Sequence, residues 1–274
     1  NNDISEIKVD RNGTKWMATN KNGVIAFNEN TNVFKKITEG VDTGNLPSTE
    51  VKALAIDNRN QVWIGTTKGL RVLSSTSAYN SENQMKANAI IILEEDLAQE
   101  LLYEQVITDI VVDGSNRKWI STADSGVFLF SANGQETIYH FTKDNSPLPS
   151  NMVGDVEINE TTGEIFFATD KGMVSFQGTA TRPADDLRNV YVYPNPVRPG
   201  FIGTVKIAGL LSKANIKITD IEGNLVYETT SEGGTIEWDT TAFGKYKVAS
   251  GVYMIFISAE DGSETTVKKV MIIR

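Results

Sequence analysis

Short apolar runs with alternating polar positions, broken by turns of Asp, Asn and Gly, recur along the first 178 residues of the chain. The runs belong to one repeated module. Ile7-Lys8-Val9-Asp10 through Trp16-Met17-Ala18-Thr19 aligns with Leu54-Ala55-Ile56-Asp57 through Trp63-Ile64-Gly65-Thr66. A third copy runs from Ile110 to Thr122, and a fourth, one residue longer, from Val156 to Thr169 with Phe166 in place of tryptophan. Each copy then reaches a glycine (Gly23, Gly69, Gly126 or Gly172), and an apolar strand ends at Phe27, Leu73, Phe130 or Phe176. Trp16 to Trp63 is 47 residues, Trp63 to Trp119 is 56, and Trp119 to Phe166 is 47. Periods of about 40–50 residues built from strands and turns predict propeller blades.

Each module predicts an antiparallel meander, with Asn12-Gly13 and Asn60 at turn positions that demand positive φ or an Asx hydrogen bond. Val33–Thr38 and Ile138–Thr142 supply fourth strands, whereas the fourth copy runs from Phe176 into Gln177-Gly178-Thr179-Ala180-Thr181 without one. In this register the chain begins inside the pattern, which favours the last part of a larger propeller over a closed four-bladed ring. The second copy carries an insertion, Ser74 to Gln105, with a strand at Ala89–Leu93. Leu97, Leu101 and Leu102 in it predict a short helix over 97–103. The insertion is either a partner-binding excursion or a decoration packed on its own blade.

The pattern changes near residue 179. Residues 179–189, with Pro183 and no periodicity, predict a linker. Residues 190–274 then hold about seven short alternating strands, the signature of an immunoglobulin-like sandwich without a disulfide. The expected architecture is all-β: β-propeller blades over 1–178, then an Ig-like sandwich.

Composition narrows the chemistry. The chain has no cysteine and one histidine, His140, so thiolate nucleophiles, disulfides and sites needing two imidazoles are excluded. A net charge of -9 opposes nucleic acid and anionic headgroups, and no apolar run approaches the roughly 20 residues of a membrane span. Glu94-Glu95-Asp96 and Asp185-Asp186 are adjacent acids without a partner base, expected to be solvated. Asp10, Asp57 and Asp113 stand six residues before each tryptophan. Asp10-x-Asn12-Gly13 begins like a metal loop but lacks the further acidic ligands, so these aspartates are expected to cap turns. Trp16, Trp63 and Trp119 are expected in the inter-blade core rather than as sugar platforms, and His140 as a structural residue. No catalytic, cofactor-binding or metal-ligating residue is expected, and ligand contacts fall on unassigned loops.

Tyr193-Pro194-Asn195-Pro196-Val197, Ile216 through Asn224, Trp238-Asp239, Ser250-Gly251-Val252-Tyr253 and Lys268-Lys269-Val270 resemble the C-terminal sorting domain of the type IX secretion system of Bacteroidetes. Trp63-Ile64-Gly65-Thr66 and its degraded copies resemble two-component regulator propeller blades. The two together are similar to surface components of that secretion machinery. The resemblance implies a non-catalytic cell-surface protein, partnership with type IX secretion and sortase components, and binding of anionic lipopolysaccharide or a glycan. The same blades also occur in periplasmic sensor regions of two-component regulators, and the same sorting domain in secreted cargo.

Overall fold

The computed structural model describes residues 3–81, 83–94, 97–178 and 180–274. It divides into two compact units: Asn1–Val112 with Asn116–Ile158 and Ile165–Phe176, and Asp113–Ser115 with Asn159–Glu164 and Gln177–Arg274.

The first unit is a series of antiparallel blades. Blade one holds β1 (Ile4–Val9), β2 (Lys15–Thr19), β3 (Val24–Asn28) and β4 (Val33–Ile37), paired in that order. Blade two holds β5 (Val51–Ile56), β6 (Val62–Thr66) and β7 (Gly69–Leu73); Asn88 bridges to Val72 where a fourth strand would lie. A hairpin of β8 (Ile91–Glu94) and β9 (Leu97–Glu100) follows. Blade three holds β10 (Ile107–Val112), β11 (Lys118–Thr122), β12 (Val127–Phe130) and β13 (Thr137–Phe141). Blade four has three strands among the described residues, β14 (Val153–Asn159), β15 (Glu164–Thr169) and β16 (Gly172–Gln177).

The helix expected over 97–103 is a strand and a turn instead. Helical spacing of three leucines cannot hold seven residues in a helix, because one or two turns do not repay nucleation. The neighbouring run Ile91-Ile92-Leu93 offers a β-branched partner, so Leu97–Glu100 pairs with it. The chain then turns and buries Leu101 beside Ile90 and Ile92 in the core around Trp63. Among the described residues the helical content is one 3-10 turn, Thr76–Asn80.

Every blade turn follows one design. A residue with positive φ (Gly13, Asn60, Asn116 or Gly163) stands three positions before the aromatic of the second strand. The added residue in copy four lies inside this turn, where Gly163 N donates to Asn159 O rather than to the residue three back. Phe166 is therefore the topological counterpart of Trp63, and Thr169 Oγ1 donates to Gly172 O as Thr66 Oγ1 does to Gly69 O.

The second unit is a two-sheet sandwich. One sheet is β17 (Tyr191–Tyr193), β18 (Val205–Ala208) and β21 (Thr235–Trp238). The other is β20 (Leu225–Thr230), β19 (Asn215–Thr219), β24 (Gly251–Ser258) and β25 (Thr265–Ile272), in that order. A small ribbon, β22 (Thr241–Ala242) with β23 (Tyr246–Lys247), lies between β21 and β24 in the chain. Val205, Ile207 and Trp238 from the first sheet meet Ile216, Ile218, Ile255, Ile257, Val270 and Ile272 from the second in one core. Alternation along each strand puts these residues on one face.

Candidate functional site

The repeated aspartates hold the blades together. Asp10 Oδ1 accepts the backbone N–H groups of Asn12 and Thr14, and its Oδ2 accepts the Trp16 indole N–H at 3.0 Å. Asp57 repeats this with Arg59, Gln61 and Trp63. One carboxylate thus closes the turn and satisfies the donor that the buried tryptophan brings with it. At Trp119 the indole nitrogen is buried without an acceptor.

Each tryptophan packs against the following blade. Trp16 joins Val51, Leu54, Val62 and Ile64 of blade two; Trp63 joins Ile107, Ile110 and Ile120 of blade three; Trp119 joins Val153, Val156, Ile165 and Phe167 of blade four. The three indoles are at most 1% exposed, which leaves them no surface for stacking a sugar. Phe166 points to the opposite face from Ile165 and Phe167 and is half-buried. His140 lies flat on Phe128, with ring centroids 3.9 Å apart, and its Nε2 is 2.8 Å from Ser125 O; the ring finishes the blade-three sheet.

Sequence reasoning missed two kinds of joint. The first is a buried ion pair: Lys118 Nζ lies 3.0 Å from Asp57 Oδ2 and 4.4 Å from the Trp63 ring centroid, with both charged side chains fully buried. The second is a latch at the bulges of the inner strands. Ser5 Oγ donates to Val51 O and Glu6 Oε2 accepts Leu54 N; Thr108 Oγ1 donates to Val153 O and Asp109 Oδ2 accepts Val156 N. Glu6 and Asp109 each stand ten residues before their tryptophan, so the signal was present in the repeat alignment. At that position blade two has Ala53 and relies on the ion pair. Burial pushes the Asp109 carboxyl up to about 7; its backbone hydrogen bonds oppose this, and the charges of Glu6 and Asp155 add to it.

Among the described residues no cluster of acids or histidine is arranged to hold a metal ion. Asp186 accepts the Arg188 N–H and pairs with its guanidinium at 2.9 Å. Glu95, Asp96 and Thr179 lie outside the described residues.

In the sandwich the motif residues act on the backbone. Asp220 accepts N–H groups from Glu222 and Asn224 and the Asn224 side-chain amide, which hold its carboxyl below the usual carboxylate range. Trp238 is fully buried and donates to Thr241 O; Tyr253 donates to Ala249 O. Asn195 accepts Met271 N and donates to Lys269 O, fastening the 195–197 segment to part of the β25 edge. Residues 180–189 are also tied in. Gly234 N donates to Thr181 O, Ala184 N to Leu210 O and Leu187 N to Glu264 Oε2, while Ala180 and Leu187 are buried.

Residues 191–273 match the secretion system C-terminal sorting domain family, and residues 45–68 match the two component regulator propeller family. Among solved structures the chain is similar to PorZ, an essential bacterial surface component of the type-IX secretion system of Porphyromonas gingivalis. Identity is 24% and the TM-score 0.59, over 99% of this chain and 45% of that one. The chain thus spans less than half the length of PorZ. It is also similar to the extracellular domain assigned to the hybrid two component system BT3049 of B. thetaiotaomicron, at 13% identity and a TM-score of 0.49, over 98% of this chain and 50% of that one. No curated protein matches the chain. The fold is all-β, and the propeller blades and sorting domain read from the sequence are both present.

Proposed function

We propose that the chain is a non-catalytic, exported cell-surface protein of type IX secretion. In this reading the sandwich is its export signal and a module for sortase-complex partners, and the propeller is a docking platform for anionic lipopolysaccharide or another glycan. One observation carries the reading: a sorting-domain match over 191–273 follows propeller blades in a single chain whose fold is similar to that of PorZ. The blade residues that look most chemical support a platform rather than a reaction centre. Asp10 and Asp57 are engaged with backbone and with the Trp16 and Trp63 indoles, the three blade tryptophans are buried, and His140 Nε2 lies against the Ser125 carbonyl. No helix of the described residues is long and apolar enough to cross a membrane.

The test is deletion of residues 188–274 in the native host, followed by surface labelling of the propeller unit. Loss from the surface is expected. Continued surface delivery of the truncated protein would remove the export role.

A further inference from the structure

The sandwich has one sheet edge that is half closed. β25 is the last strand of its sheet, and alternate residues turn their backbone groups outward. From the Lys269 carbonyl to the Ile273 N–H these groups are taken. Asn195 Nδ2 donates to Lys269 O, Met271 N to Asn195 Oδ1, Val197 N to Met271 O and Ile273 N to Val197 O. The same periodicity turns outward the N–H of residues 265, 267 and 269 and the carbonyls of 265 and 267. None of these has a partner among the described residues.

A groove of about 330 Å³ lies along this open stretch, lined by Val192, Asn195, Met254, Val267, Lys268 and Lys269. Phe256 pairs across the sheet with Val267, and both are exposed. In the sandwich Lys206 pairs with Glu237, Lys213 with Glu260 and Lys217 with Glu228, and Lys247 donates to the Asp239 carbonyl away from this edge. Lys268 and Lys269 have no carboxylate partner among the described residues. Two adjacent lysines on an edge repel a second copy of that edge. They attract a strand of opposite charge.

We propose that residues 265–269 form a strand-addition site for an extended acidic segment of a partner protein. About five residues of the partner would continue the sheet beyond β25; strand alternation puts its carboxylates on the face of Lys268 and its apolar side chains on the opposite face with Val267 and Phe256, where Lys269 adds positive charge at the edge. The proposal rests on reading the sandwich as a partner-binding module and names the chemistry of that partner.

The test uses the full chain and two synthetic probes, an alternating Glu/Val heptapeptide and the matching Lys/Val heptapeptide, followed by amide NMR at up to millimolar peptide. The acidic probe is expected to bind and to protect the Val267 and Lys269 amide protons from exchange, with the basic probe at least tenfold weaker. Val267→Pro removes one outward donor at an edge, where proline is tolerated, and Lys268→Glu with Lys269→Glu reverses the charge. Each change is expected to weaken the acidic probe at least tenfold while the sandwich resonances stay dispersed. Equal binding of the two probes, no binding, unchanged affinity in Val267→Pro, or self-association through this edge would each overturn the proposal. Surface delivery of the same variants in the host is scored separately, so failure of the peptide experiment leaves the export role standing on its own test.

Discussion

The Asp109 carboxyl joins blade three to blade four while standing well above its ordinary pKa, and that combination makes a signed prediction. Its value is about 7 in the folded chain against 3.8 for the ordinary carboxyl. The folded state therefore holds the proton more tightly than the unfolded chain does. Its stabilising contribution is complete below pH 3.8 and is lost as pH rises through about 7. About three pH units at 1.36 kcal/mol each give a ceiling of about 4 kcal/mol. Burial is the main cause and Asp109 is only partly buried, so solvent around the charged form lowers it to about 2–4 kcal/mol. Asp109→Asn removes the charge, and its amide oxygen can still accept the Val156 N–H. Urea unfolding between pH 4 and pH 8.5, followed by tryptophan fluorescence, should show parent and variant nearly equal at the acid end. The variant should be more stable by about 2–4 kcal/mol above pH 7. A difference that stays constant with pH, or a variant weaker at pH 8, would refute the reasoning, because the ionised carboxylate would then be strengthening the joint.

Lys118→Ala strands the Asp57 carboxylate in the core and should cost about 3–5 kcal/mol in the same unfolding assay. Adding Asp57→Asn should recover part of that loss, and no recovery would contradict a direct pairing. Leu101→Ala should cost about 2–4 kcal/mol, because the hairpin insertion is anchored in the core beside Trp63; a neutral result would make the insertion independent of its blade. Residues 180–189 are hydrogen-bonded and partly buried, a poor substrate for a protease that needs extended backbone. Protein taken from the cell surface should therefore retain residues 190–274 by mass mapping, and an N-terminal product ending within 178–189 would instead mark the chain as processed cargo.

The blade architecture was legible because one short pattern performs three tasks at fixed spacing. Asp10 closes a turn, Gly13 turns the chain back, and Trp16 fills the joint, so a mutation in any of them is visible against the other copies. The insertion was misread for the opposite reason. It occurs once, no second copy disciplines its register, and three leucines fit a helix as well as a strand until Ile91-Ile92-Leu93 is known to lie alongside. The Lys118–Asp57 pair was invisible because its partners are 61 residues apart and the other blades do not repeat it. The open edge of β25 depends on which way backbone groups point, which side-chain patterning does not record.

The inner-strand latches have a direction. At each joint the earlier blade supplies the side chains, Ser5 with Glu6 or Thr108 with Asp109, and the later blade answers with main-chain atoms alone. Any residue can present a carbonyl, and any but proline an N–H, at the receiving position, so drift in the later blade leaves these bonds intact. The selective burden is therefore asymmetric: substitutions at Glu6 or Asp109 need no matching change at Leu54 or Val156. Pairwise covariation across these joints should be weak even though they are tightly bonded, and a duplicated blade could be accepted downstream of a latch without first acquiring a complementary side chain.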